Sequence, residues 1–66
     1  MEKFGVRAAS SYTGVPEATL RYWRTLGDIG PASYKLGRRV FYDRSELDRW
    51  LNEQKAATTR GGKAAV

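Results

Sequence analysis

The sequence predicts a mainly α domain with one small β-hairpin, and three observations carry that expectation. Apolar residues recur at three-and-four spacing in three stretches: Val6 and Ala9, then Leu20 and Trp23, then Leu47 with Trp50 and Leu51. A glycine, Gly14, separates the first two stretches where a helix would stop. Strand formers gather in one place, with Tyr34 before Gly37-Arg38 and Val40, Phe41 and Tyr42 after it.

The first helix is expected over Val6–Thr13. Ala8 and Ala9 favour it, whereas Ser10, Ser11 and Thr13 keep it short. Val6, Ala9 and Thr13 share one face, and Val15, just past Gly14, is placed to drop into the core. Val15–Thr25 reads as the second helix. Pro16 suits its first turn, because the missing N–H is unpaired there anyway. Leu20 and Trp23 face the core, leaving Glu17, Thr19, Arg21, Tyr22, Arg24 and Thr25 outside. Two glycines and a proline in Leu26-Gly27-Asp28-Ile29-Gly30-Pro31 make a turn-rich connection, with Leu26 and Ile29 expected to tuck inward.

The hairpin follows, with Ala32–Leu36 turning at Gly37-Arg38 into Arg39–Tyr42. Alternation puts Tyr34, Val40 and Tyr42 on one face and Phe41 and Arg39 on the other, without deciding which points inward. Asp43 is expected to cap a last helix, with Glu46 three residues on completing an approximate capping box. Leu47, Trp50 and Leu51 form that helix's apolar face, and Trp50 reads as a core anchor. From Ala56 the apolar periodicity stops. The expected organisation is therefore one domain over residues 1–55 and a flexible, mildly basic tail over 56–66, in which Arg60 or Lys63 could add a phosphate contact.

Composition narrows the function. Sixty-six residues bury only about 60% of the unfolded surface, so stability is marginal. With no Cys and no His, disulfide and zinc-finger frameworks are excluded, and no metal or cofactor is expected. The carboxylates are accounted for by caps, turns and solvated faces. No nucleophile, base and oxyanion donors assemble, which argues against an enzyme. No apolar run reaches the roughly 18 residues that span a bilayer, and the N-terminus has no signal-peptide pattern, so a cytoplasmic protein is expected. The net charge of +5 points to a polyanionic partner, nucleic acid first.

Two stretches sharpen that reading. The outer face of the second helix mixes two guanidinium groups with hydrogen-bonding groups and one acid, which suits a helix lying in a DNA groove. A merely solvated amphipathic helix would more often carry Glu/Lys pairs. The hairpin tip gathers Lys35, Arg38 and Arg39. Three cations there repel each other, and a nearby phosphate backbone would offset the repulsion. Helix, glycine turn, helix, two-stranded wing, helix is a winged helix-turn-helix order.

The residues also resemble a known group. Thr19-Leu20-Arg21-Tyr22-Trp23, the Gly27 loop with Pro31, Gly37-Arg38-Arg39-Val40-Phe41-Tyr42 and Asp43-Arg44-Ser45-Glu46-Leu47 resemble the MerR-type DNA-binding domain. Its short, stand-alone version is similar to phage excisionases and small regulators of the AlpA type. The resemblance covers residues 4–52, and its most specific part is the wing tip followed by the Asp-x-x-Glu-Leu helix start. It implies double-stranded DNA as partner, with the second helix in a major groove and the wing at an adjacent minor groove or its phosphates. It implies Glu17, Ala18, Thr19 and Arg21 as groove readers, Tyr22 and Arg24 near the backbone, and Lys35, Arg38 and Arg39 on the wing. Full MerR regulators continue into a long dimerisation helix and an effector site, so a sensing activator is not expected here. Ser10 and Ser11 also depart from the apolar and acidic residues usual in that first helix.

The expected function is thus that of an excisionase, a recombination directionality factor that binds and bends DNA near an attachment site, with an integrase as possible partner. A small transcriptional regulator is the alternative within the same class, and a protein-interaction module is the alternative outside it. With no heptad seam, a monomer is expected in solution, with head-to-tail contacts between neighbours on DNA.

Overall fold

The computed structural model describes residues 2–61. The elements run β1 (Lys3–Gly5), α1 (Val6–Thr13), α2 (Glu17–Leu26), β2 (Tyr34–Leu36), β3 (Arg39–Asp43) and α3 (Arg44–Thr58). The three strands form one antiparallel sheet in the order β1-β3-β2. This is a winged helix-turn-helix, as the sequence predicts, with the helical boundaries of α1 where periodicity puts them.

The turn between α1 and α2 is built locally. Gly14 takes the left-handed conformation at φ 80°, and its N–H donates to the Ser10 carbonyl at 2.8 Å. Glycine reaches that region without steric cost. The Thr13 hydroxyl donates to the Ala9 carbonyl at 2.8 Å and accepts from the Val15 N–H at 3.2 Å. Pro16 stands just before α2 in extended backbone, and its carbonyl accepts from the Leu20 N–H at 3.0 Å.

The core is small. Ala9, Leu20, Tyr42 and Leu47 are buried, one from each of α1, α2, β3 and α3, with Phe4, Val6, Val15, Trp23 and Val40 packed around them. Trp50 is half-buried and tilts against Trp23 with ring centroids 5.6 Å apart, which ties α3 to α2. Phe4 meets Tyr12 at 5.1 Å on the other side.

Several expectations are corrected. The sequence carries no signal for β1, whose three residues hold one aromatic and no alternation. It exists because β3 offers a free edge, and Lys3, Phe4 and Gly5 pair there with Asp43, Tyr42 and Phe41. The Arg44 N–H extends the ladder to the Glu2 carbonyl at 2.9 Å. Tyr34 lies opposite Phe41, so it shares that face and not the face of Val40 and Tyr42. The two-residue turn, with Gly37 at φ 63° and Leu36 opposite Arg39, imposes this register. Tyr42 and Val40 point inward, with Lys35 on their side of the hairpin.

Leu26 and Ile29, expected inside, are each 49% exposed. Gly27 ends α2 in the left-handed conformation at φ 87°, and the loop beyond it closes over Trp23 through Gly30 and buried Pro31 instead. Asp43 holds the N-cap position of α3 but makes no side-chain capping bond. Its carboxylate accepts from the Tyr34 hydroxyl at 2.8 Å, which closes the open end of the hairpin and holds the Tyr34 phenol above its ordinary range. Helix α3 continues through Thr58, past the expected boundary at residue 55. The part of the expected tail from residue 62, including Lys63, lies outside the described residues.

Gly30 yields a first prediction. It sits at φ 85°, and a Cβ there would stand 2.7 Å from the Trp23 ring. Gly30→Ala is expected to destabilise the domain by about 2–3 kcal/mol, from the left-handed backbone and the overpacking together. A thermal melt should show a midpoint lower by roughly 10 °C or more, given about 4–8 °C per kcal/mol at this size.

Candidate nucleic-acid interface

Helix α2 is positioned by Leu20 and Trp23, which anchor one side of it in the core. The flank of the helix next to that side faces the wing. Glu17, Arg21 and Arg24 follow one another at intervals of four and three, so they lie along one stripe. The hairpin turn sets Arg38 and Arg39 beside the start of that stripe. A shallow groove is lined there by Arg7, Glu17, Arg21, Arg38, Arg39 and Val40. A second groove continues along the helix, lined by Arg21, Arg24, Thr25, Lys35, Val40 and Tyr42. Arg21 borders both, so the two grooves form one band.

Within the band, Arg21 Nη2 lies 3.4 Å from Glu17 Oε1, and both side chains are open to solvent. Arg24 is half-buried, and its Nη1 donates to the Ser33 hydroxyl at 2.7 Å, pinning the chain that enters β2 to the helix. Arg39 stands 5.5 Å from the centre of the Phe41 ring, on the far side of the sheet from Val40. Tyr42 joins the band to the core. Burial pushes its phenol up, and the positive charges of Arg24 and Arg21 oppose that shift.

The structure brings six of the nine expected DNA-binding residues together. Glu17, Arg21, Arg38 and Arg39 come together in the first groove, and Arg21, Arg24 and Lys35 in the second. Ala18, Thr19 and Tyr22 line neither groove. Ala18 and Tyr22 occupy the adjoining stripe of α2, one step around the helix, where Tyr22 is 61% exposed. Thr19 is half-buried. Arg7 escapes sequence reasoning. It sits at the start of α1 with no basic neighbour in sequence, and only the return of the hairpin past α1 brings it to Arg38 and Arg39.

Charge segregates across the molecule. Arg7, Arg21, Arg24, Lys35, Arg38 and Arg39, with Glu17 as the single acid, carry as much net charge as the whole chain, +5. On α3 the charges balance and pair. Arg44 lies 3.2 Å from Glu2 and 3.8 Å from Asp48, and Arg49 lies 3.9 Å from Glu46 and 3.8 Å from Glu53. Such exposed pairs contribute little to stability, at most about 1 kcal/mol each. Their effect is to cancel the field on that side. A field of one sign along a groove attracts a polyanion and orients it.

The sequence model of the helix-turn-helix domain family matches residues 4–55. The chain belongs to that family. It is a DNA-binding helix-turn-helix domain, and the cationic band lies on its second helix and wing. No curated protein and no solved structure matches it. Among the described residues no helix is long and apolar enough to cross a membrane, and no cluster of acidic, His or Cys side chains could hold a metal ion.

Proposed function

We propose that this helix-turn-helix domain binds duplex DNA with α2 in a major groove and the wing tip on the adjacent backbone or minor groove. The observation that carries the proposal is the continuous band from Arg7 through Arg21 to Arg38 and Lys35, to which the charge-balanced α3 contributes no lining residue. Arg38 sits on the two-residue turn and Arg39 opens β3 beside it, which suits phosphate contacts. Glu17 and Arg21 on the first turns of α2 suit base edges, an acid accepting from a cytosine amino group and an arginine donating to guanine. Ala18 and Tyr22 extend that reading along the adjoining exposed stripe, and half-buried Thr19 flanks that stripe on the side away from Arg21.

The finer reading is an excisionase-like role, in which adjacent copies occupy repeated sites near an attachment core and bend the DNA for an integrase. One feature of α3 favours it. Asn52 to Thr58 are all exposed and mostly polar, and offer no apolar seam for a two-fold dimer. A monomer addresses direct repeats, and neighbours on them meet head to tail. Footprinting on DNA carrying recombination sites and promoters tests the role. Tandem protected sites beside an attachment core are expected. A single inverted-repeat operator at a promoter would assign the domain to a small regulator instead.

Thr19 gives a separate expectation about base reading. Thr19→Ala should weaken binding at one base position by about 1–3 kcal/mol while leaving random-duplex affinity nearly unchanged. Competition binding against single-base variants of the site measures it, and an equal loss on every sequence would assign Thr19 to positioning the helix.

A further inference from the structure

Glu17 is the one acid among the groove residues, beside Arg7, Arg21, Arg38 and Arg39. An acid at that place works against attraction of phosphate, so its presence needs a physical reason. One is local: as the first residue of α2 it interacts favourably with the helix N-terminus. That effect needs a negative charge in the first turn and nothing more. The side chain does more than this, since it reaches along the helix to Arg21 Nη2 at 3.4 Å. Arg21 is the one charged residue that borders both grooves. The acid therefore holds the arginine through which the helix half and the wing half of the band join.

We infer that Glu17 determines specificity by restraining Arg21, so that Arg21 is released only on a DNA site that engages both residues. The inference rests on the proposed placement of α2 in the groove. On random duplex a phosphate offers Arg21 a partner, but taking it leaves the Glu17 carboxylate facing the backbone unpaired. The exchange gains little, and Arg21 adds little to non-specific affinity. On a matching site Arg21 meets an acceptor on a base edge and Glu17 meets a donor, so both charges are satisfied. Discrimination then comes from the cost imposed on wrong sequences as much as from contacts made to the right one. Both side chains are exposed, so the pair is easily exchanged and its restraint is modest.

Glu17→Gln keeps size and hydrogen bonding while removing the charge. Relative to wild type it should bind random duplex about two- to fivefold more tightly, the range an exposed ion pair spans. Its log–log salt slope should steepen by roughly 0.9, because the released Arg21 neutralises one more phosphate. The ratio of specific to random affinity should fall. In an Arg21→Ala background the same Glu17→Gln change should raise random-duplex affinity markedly less. Unchanged or weaker random binding by the single variant would overturn the inference. So would a gain that persists in full without Arg21, because Glu17 would then act by repelling phosphate directly. The groove placement itself is tested apart from this, by the loss of binding in Arg38→Ala/Arg39→Ala, which does not involve Glu17.

Discussion

Leu47→Ala is expected to leave the chain largely unfolded at 25 °C. Leu47 is wholly buried, and it shares the centre of the core with Leu20 and Tyr42, the two other large side chains with almost no exposure. Leu47 is also the point at which α3 closes against Ala9, Leu20 and Tyr42. Removing it costs the transfer energy of three carbons and leaves a cavity that a core of four residues has no means of filling. Truncations of this kind cost about 3–5 kcal/mol when the site is fully enclosed. A domain below about 70–80 residues without disulfide or metal rarely holds more than about 3–5 kcal/mol in all. Far-UV circular dichroism and urea titration of the variant check the expectation. A cooperative transition near the wild-type midpoint would mean that α3 docks on something other than this core.

The second large effect concerns DNA. Arg38→Ala combined with Arg39→Ala should weaken binding to specific and random duplex alike, by roughly 10- to 100-fold at low salt, and should flatten the log–log salt slope by roughly 1–2. Both side chains are exposed, and among the described residues neither is tied to an acid. Arg39 lies over Phe41, but Lys3 stands 5.2 Å from the same ring and continues to cover it. The fold should therefore survive the double substitution, with an unchanged melting curve. Unchanged affinity in a folded variant would remove the wing from the interface.

Local chemistry makes much of this legible in the sequence. Gly14 and Gly37 sit where the backbone must take positive φ, and each marks its turn correctly. The spacing of Leu47, Trp50 and Leu51 marks the inner face of α3, and the Lys35/Arg38/Arg39 cluster marks the wing. What escapes depends on contacts between distant residues. Strand β1 forms because β3 has an edge to offer, and three residues of sequence cannot announce that. Arg7 reaches the groove by tertiary return of the hairpin. Asp43 resembles a cap because the residue type and spacing fit, but a tyrosine hydroxyl nine residues away holds its carboxylate. Leu26 and Ile29 read as internal because they are apolar. A domain this small has too little interior for them once Trp23, Gly30 and Pro31 have met.

The proposed interface is tested most directly by mapping backbone amide shifts while the intact protein is titrated with a short duplex. The largest changes are expected over Glu17–Thr25 and Lys35–Arg39, joined by Arg7, with Glu46 to Glu53 on the charge-balanced face of α3 nearly silent. Changes centred on α3, with α2 and the wing unmoved, would contradict the proposal that the cationic band is where this domain meets DNA.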